Sequence, residues 1–124
     1  MSYMFDASKP IALGADHAGV QYKNEIISWL HEKGYTTKDF GTYTTDSVDY
    51  PDFAHPTATS VETREAAFGI LFCGTANGVA MTANKHEGIR AGLCWRLEVT
   101  EFTRSHNDAN IICIPARYVP IELA

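Results

Sequence analysis

The chain has 124 residues, of which 45% are apolar and 20% charged, and its formal net charge is −5 with a pI near 5.4. This length fits one globular domain, and the acidic balance argues against nucleic acid or an anionic membrane surface as the main partner. No apolar run approaches the ~20 residues that cross a bilayer, and the N-terminal stretch lacks the basic-then-apolar pattern of an export signal. We therefore expect a cytoplasmic protein with no membrane partner.

Short apolar runs alternate with segments of helical length along the whole chain. The predicted strands are residues 10–14, 35–40, 68–73, 89–95 and 110–115. The predicted helices are residues 20–33, 51 to about 65, 79 to about 88 and 98–106. This order predicts an α/β fold, a three-layer Rossmann-like sandwich with a mostly parallel five-stranded sheet.

Ligands of such sheets bind beyond the carboxyl ends of the strands, so the residues that follow each predicted strand are the candidates for a site. Asp16 and His17 follow the first strand, residues 74–78 follow the third, and Arg117 follows the fifth. Gly41 follows the second strand, and Trp95-Arg96 follows the fourth.

The loop at residues 73–78 is the most informative of these segments, because a thiol ends a buried strand and a glycine-bearing loop then leads into a helix. Glycines let backbone N–H groups face a ligand, and a helix N-terminus favours an anion and lowers the pKa of a thiol. Cys73 and the loop could therefore supply a base and an oxyanion site together. The alternative is a tight turn with a core cysteine. The loop has neither the P-loop ending nor the dinucleotide pattern GxGxxG.

Three other segments carry polar groups whose ordinary structural roles remain open. Asp16 and His17 are adjacent, which suits one group reaching a ligand while the other orients it, but Asp16 could equally cap the following helix. His106 and Asn107 stand in a polar run before the last strand, where a histidine could exchange protons near neutral pH or the run could be a plain loop. Tyr50 lies in a segment that is most simply a turn opening a helix.

The cysteines and histidines do not form a metal-binding pattern. Cys73, Cys94 and Cys113 are odd in number and include no CxxC pair, and no two histidines have HxxxH or HExxH spacing. The sequence therefore predicts neither a disulfide framework nor a metal site.

These segments together resemble the ribose-5-phosphate isomerase B family, which also includes galactose-6-phosphate isomerase subunits. The matching stretches are GADHAG at 14–19, DFGTY at 39–43, SVDYPDFA at 47–54, GILFCGTANGVAMTANK at 69–85, GIRAGLCW at 88–95, HNDANI at 106–111 and PAR at 115–117. They cover nearly the whole chain in one collinear order, which is far more specific than any single motif.

The resemblance implies an enzyme that interconverts ribose 5-phosphate and ribulose 5-phosphate through a cis-enediolate, in the pentose phosphate pathway and with no metal or organic cofactor. It implies that Cys73 is the base, that Thr75 assists the hydroxyl proton transfer or orients the substrate, and that His106 opens the furanose ring. The substrate-binding residues implied in the same way are Asp16, His17, Tyr50, Gly74, Ala76, Asn77, Gly78, Asn107 and Arg117. Among these, Asp16 and Asn107 would bind sugar hydroxyls, His17 and Arg117 the phosphate, and the loop amides the enediolate oxygen.

Two departures from the family pattern bear on the substrate and the assembly. Ala76 stands where the family has a second glycine, which makes a positive φ costly, and Asn77 replaces an aliphatic residue. Family members also continue into a C-terminal helix and a basic tail, so we expect residues 1–124 to form a single isomerase domain that lacks both. The resemblance further implies a homodimer with the site at the subunit interface, or a tetramer.

Three alternatives to this function remain. The first is an isomerase of another phosphorylated sugar, such as galactose 6-phosphate or allose 6-phosphate. The second is a non-catalytic flavodoxin-like binding domain, although such a receiver-like pocket would need paired acids after the first strand, where this chain has only Asp16 and His17, and a lysine after the last strand, where it has Arg117. The third is a degenerate family member that serves only in assembly.

Overall fold

Each predicted apolar run forms a strand, and each intervening segment contains a helix. The computed structural model describes residues 5–124; the first four residues, part of the predicted 1–124 domain and of the stretch without an export signal, lie outside the described residues. The strands are β1 (Ile11–Ala15), β2 (Thr37–Asp39), β3 (Gly69–Cys73), β4 (Ala91–Leu93) and β5 (Ile111–Pro115). The helices are α1 (Val20–Glu32), α2 (Pro51–Glu62), α3 (Asn77–Ala83) and α4 (Leu97–Ser105).

The five strands form one sheet in the order β2-β1-β3-β5-β4, and all four pairings are parallel. This confirms the predicted α/β architecture. Strands β1, β3 and β5 have five residues each, whereas β2 and β4 have three. The two short strands lie at the sheet edges, where only one neighbour supplies backbone partners, and this is why they end earlier than the predicted runs at 35–40 and 89–95.

Apolar side chains alternate between the two faces of the sheet, and each face has its own cluster. Ala12 of β1 packs with residues of α2 and α3, whereas Leu13 packs with α1 residues such as Leu30. Close contact with α2 requires Gly14, because an added Cβ there would lie 2.3 Å from Thr57 Oγ1. Helix α4 covers β4, since an added Cβ at Gly92 would lie 2.1 Å from a methyl carbon of Thr103.

The chain leaves β1 toward one edge to form β2, then crosses to the other side of β1 to form β3. The direction of winding therefore reverses between β1 and β3, and this reversal opens a crevice at the carboxyl ends of the two strands. Asp16 follows β1 and Cys73 ends β3, so the fold places two of the predicted site residues at this crevice.

A chain of hydrogen bonds joins α2 to the turn after α3. His55 Nδ1 lies 2.8 Å from His86 Nε2, and His86 Nδ1 lies 3.2 Å from Glu62 Oε1. The Gly88 amide donates to Glu62 Oε2 at 2.9 Å. The bond from Gly88, and after it the bond from His86, hold the pKa of the Glu62 carboxyl below its ordinary value.

Because its folded-state pKa is lowered, the Glu62 carboxylate stabilises the fold at pH values above the unfolded pKa of about 4.3. This contribution is lost as the pH falls through the folded-state pKa. We expect Glu62→Gln to be less stable than the wild type at neutral pH, and the difference to shrink toward about pH 3 as the Glu62 carboxylate takes up a proton. Urea denaturation at the two pH values measures it, with Glu65→Gln as the control. A difference that does not change with pH would contradict the ion-pair geometry.

Candidate active site

Asp16 lies at the point where β1 and β3 end side by side. Its backbone N–H donates to the Phe72 carbonyl at 3.2 Å, which ties it to the residue before Cys73. Its Oδ1 accepts from the amides of Ala18 (2.9 Å) and Gly19 (3.2 Å), so Asp16 caps the turn before α1, whose own N-cap is Gly19. The alternative in which Asp16 is the helix N-cap is therefore wrong, because Asp16 bonds the turn that precedes α1 and the N-cap position belongs to Gly19. Oδ2 of Asp16 can still accept a hydrogen bond from a ligand hydroxyl.

The next side chain, His17, is half-buried, and a backbone amide determines its tautomer. The Val48 N–H donates to Nδ1 at 3.2 Å. A nitrogen that accepts this bond carries no hydrogen, so the hydrogen of the neutral ring is on Nε2. His17 thus presents an N–H donor. Val48 was not among the predicted residues, because a backbone amide acts here and its side chain carries no signal of that role.

Cys73 ends β3 in apolar surroundings and is 4% exposed. Its cluster includes Ala76 and Val79, which follow it in the loop and the first turn of α3. Thr75 is exposed in the same loop, and its Oγ1 accepts from the Asn77 amide at 3.3 Å. A thiol sheltered from water thus stands next to exposed polar groups and backbone amides.

Arg117 and Tyr50 lie directly against the two glycines of this loop. The Arg117 amide donates to the Gly74 carbonyl at 3.1 Å, and a Cβ added at Gly74 would lie 3.3 Å from Arg117 Nε. A Cβ added at Gly78 would lie 2.7 Å from Cζ of Tyr50. The glycines therefore leave the space that a guanidinium and a phenol ring occupy, and Arg117 brings positive charge to the loop.

The other two cysteines lie away from the loop at residues 74–78. Cys113 is completely buried in β5 and Cys94 is 6% exposed just after β4. Burial raises the pKa of the Cys94 thiol, and burial together with the nearby Cys94 and Cys73 raises the pKa of Cys113 well above its ordinary value. Both are inert core thiols, as the ordinary interpretation of strand cysteines predicts.

His106 and Asn107 lie near the amino ends of the strands, at the end of the sheet opposite the crevice. They follow the end of α4, where the His106 ring stacks on Phe102 with centroids 4.7 Å apart, and Arg90 Nε donates to the Asn107 carbonyl. Their loop enters β5 beside Gly69, at the amino end of β3, whereas Cys73 is at its carboxyl end. The intervening strand spans roughly 13 Å, so one chain does not bring His106 and Cys73 together.

Within residues 5–124, no three His, Cys, Asp or Glu side chains lie close enough together to hold a metal ion. None of the helices in this part of the chain has the length and apolar character needed to cross a membrane.

Ala76 adopts the left-handed conformation, with φ = 64°, and is completely buried. A Cβ in this region costs about 1–2 kcal/mol, so Ala76→Gly should raise the free energy of unfolding by about 0.5–1 kcal/mol after the extra entropy of an unfolded glycine is subtracted. Urea denaturation measures it. Ala83→Gly in α3 is the matched control and should lower the free energy by about 1 kcal/mol, since Ala83 has ordinary helical geometry. Equal losses in both variants would contradict the cost assigned to Ala76.

Two known proteins illustrate the similarity of this chain in sequence. It is 41% identical over 116 residues to ribose-5-phosphate isomerase B of Escherichia coli K12, an alignment that covers 94% of this chain and 78% of that protein. It is 38% identical over 115 residues to D-erythrulose-4-phosphate isomerase of Pectobacterium atrosepticum, an alignment that covers 92% of this chain and 76% of that protein.

Solved structures of ribose-5-phosphate isomerase B have the same fold. The enzyme from Clostridium thermocellum superposes with a TM-score of 0.91 at 43% identity, covering 92% of this chain and 77% of that one. The enzyme from Mycoplasma genitalium, with bound ribulose-5-phosphate, superposes with a TM-score of 0.89 at 35% identity, covering 95% and 79%. The family model described as Ribose/Galactose Isomerase matches residues 11–124. By sequence and by fold, this chain belongs to the ribose/galactose isomerase family.

Proposed function

We propose that this protein interconverts ribose 5-phosphate and ribulose 5-phosphate through a cis-enediolate, with Cys73 as the base. The observation that carries the proposal is a sheltered thiol at the end of β3, followed by a loop whose two glycines lie against Arg117 and Tyr50. The proposal is supported by the family of the chain and by a relative whose structure holds ribulose-5-phosphate.

The proposed reaction moves one proton between two neighbouring carbons. The Cys73 thiolate takes the proton from C2 of the open-chain aldose. The electron pair of that bond forms a double bond between C1 and C2, and the aldehyde oxygen O1 becomes the enediolate oxygen. Amides of residues 74–78 donate to that oxygen as its charge develops. Thr75 passes the proton of the C2 hydroxyl to O1, and the Cys73 thiol returns its proton to C1, which yields the ketose.

The phosphate and hydroxyls are assigned to the groups that surround the loop. Arg117 supplies positive charge, and His17 donates from Nε2 to a phosphate oxygen. Asp16 accepts from a sugar hydroxyl through Oδ2, and Tyr50 lines the pocket over Gly78. Ala76 and Asn77 complete the loop at the end of the sugar, where Asn77 is exposed.

The ring-opening residues are assigned to a second copy of the chain. His106 and Asn107 lie at the amino ends of the strands, and Cys73 lies at the carboxyl end. A site that uses all three therefore needs a homodimer in which the loop that carries His106 and Asn107 in one copy meets the crevice of the other. In that arrangement His106 opens the furanose by acid–base transfer, and Asn107 binds a hydroxyl. A dimer is the smallest assembly that provides this, and a tetramer of two such dimers would provide it as well.

A different phosphorylated sugar is the second candidate substrate. Asn77 adds a polar side chain to the loop, and one relative at 38% identity is an isomerase of D-erythrulose 4-phosphate. Initial rates on ribose 5-phosphate, allose 6-phosphate, galactose 6-phosphate and D-erythrulose 4-phosphate rank the substrates directly.

We expect Cys73→Ser to lower kcat/KM on ribose 5-phosphate by at least about a thousandfold, because a hydroxyl is a much weaker base than a thiolate. The assay contains no added metal and includes a chelator. Cys94→Ser, which changes another buried cysteine just after a strand, is the matched control and should retain most of the turnover. If Cys73→Ser keeps wild-type turnover, Cys73 is not the base.

The shared site predicts complementation between two inactive variants. Subunit exchange of Cys73→Ser with His106→Ala gives heterodimers in which one of the two sites is intact, so an equal mixture should recover up to about a quarter of the wild-type activity. Mixing Cys73→Ser with the double variant Cys73→Ser/His106→Ala leaves no intact site and serves as the control. The absence of recovery after exchange, verified by native mass spectrometry, would contradict the shared site.

A further inference from the structure

We propose that the buried ion pair of Lys23 with Asp39 positions the sugar-phosphate pocket, acting on His17 through the segment that follows β2. We call residues 41–50 the pocket segment. The inference deepens the proposed function, because the pocket it orders is the one assigned above to the substrate. Neither Lys23 nor Asp39 touches the substrate in this assignment, so both are positioning residues.

The Lys23 side chain is completely buried. Its Nζ lies 2.8 Å from Asp39 Oδ1 and 2.7 Å from Oδ2, and 3.2 Å from the side-chain oxygen of Asn24. The ammonium hydrogens are therefore all provided with acceptors, which is the condition for burying a lysine. The pair joins α1 to the end of β2, on the side of the crevice.

The same carboxylate controls how the chain leaves β2. Asp39 Oδ1 accepts from the Gly41 amide at 2.9 Å. The Gly41 carbonyl in turn accepts from the Ala15 amide at 2.8 Å, and the Thr42 amide donates to the Ala15 carbonyl at 2.7 Å. Asp39 thus fastens the start of the pocket segment beside Ala15, the residue directly before Asp16.

The far end of the pocket segment reaches the site itself. The Val48 amide donates to His17 Nδ1 at 3.2 Å, and the Tyr50 ring lies against Gly78. The seven residues between Thr42 and Tyr50 form no helix or strand, so their position depends on such anchoring contacts. The first of them, Tyr43, also bonds the pair, since its hydroxyl donates to the Asp39 carbonyl at 3.0 Å and its ring centroid lies 5.3 Å from Lys23 Nζ. If the Asp39 anchor is lost, the Val48 amide leaves His17, and the ring no longer has a single tautomer.

The stability of the fold does not by itself require a charged pair at this place. Replacing a buried ion pair by apolar side chains of similar volume is often neutral or stabilising. Packing of α1 on the sheet is supplied by Ile26, Ile27 and Leu30 in the cluster on that face. What apolar side chains cannot supply is the acceptor for the Gly41 amide, which is the link from the pair to the pocket segment.

The test compares Lys23→Met with the double variant Lys23→Met/Asp39→Leu. Lys23→Met keeps the aliphatic stem and removes the ammonium, so Asp39, whose side chain is 29% exposed, can turn to water and release Gly41. The double variant removes the acceptor without leaving a charge behind, so it remains informative if Lys23→Met does not fold. Ile26→Ala, which weakens the packing of the same helix away from Asp39, is the matched control.

The first readout is the nitrogen NMR spectrum of the His17 ring at about pH 8, above the ordinary histidine pKa of about 6.5. The wild type should show one tautomer with the hydrogen on Nε2, whereas both variants should show two tautomers in exchange. The second readout is KM for ribose 5-phosphate, which should rise about tenfold while kcat changes less than about twofold. Ile26→Ala should change neither the tautomer nor KM.

Unchanged His17 nitrogen shifts in both variants would overturn the proposal, as would the same tautomer mixing in Ile26→Ala. The NMR readout needs no turnover, so it also separates this inference from the proposed function. A wild type that does not isomerise ribose 5-phosphate would contradict the proposed function. Tautomer mixing confined to the two Lys23 variants would still support the positioning role.

Discussion

The backbone hydrogen bonds between β1 and β3 hold together the two chain segments on which the site is built. The register pairs Ala15 with Phe72, so the next residues along the two strands, Asp16 and Cys73, emerge at the same level of the sheet. Both strands are buried on both faces, and a one-residue shift of the register would move each side chain into the core of the opposite face, where it does not fit. The hydrophobic cores on the two faces therefore determine where the polar groups of the crevice lie.

Around this pair, the remaining site groups are held mostly by backbone amides and carbonyls. Arg117 is fixed through the Gly74 carbonyl, His17 through the Val48 amide, and the pocket segment through Gly41 and Ala15. Backbone groups are suited to this task, because their positions are set by strands and turns that are already in place. The charged and titratable side chains are left free to face a ligand.

Two residues of this region break the local rules that the rest of the chain obeys. Ala76 has a Cβ in the left-handed region, and Lys23 occupies a core position of α1 that would ordinarily be apolar. Such exceptions concentrate where a function constrains the backbone. Ala76 lies in the loop between Cys73 and α3, and Lys23 connects α1, on the other face of the sheet, to the pocket segment. Both exceptions lie around the same crevice.

Much of the fold and part of the site could be predicted from the sequence. The apolar runs at 10–14, 68–73 and 110–115 identify the three long strands, because burial on both faces leaves a continuous apolar signal. The loop at 73–78 and the Asp16-His17 pair could be found because they directly follow such strands. Lys23 was missed, although its spacing from Val20 and Leu30 places it on the buried stripe of α1.

The sequence by itself determined the order of strands and helices, the residues that could reach the carboxyl edge of the sheet, and the family that its motifs resemble. Only the tertiary structure decided that β5 lies between β3 and β4, next to the strand that carries Cys73. It also decided that Val48 holds His17 and that Asp39 serves both Lys23 and Gly41. These contacts join residues distant in sequence through single hydrogen bonds, and such bonds leave no periodic pattern in the chain.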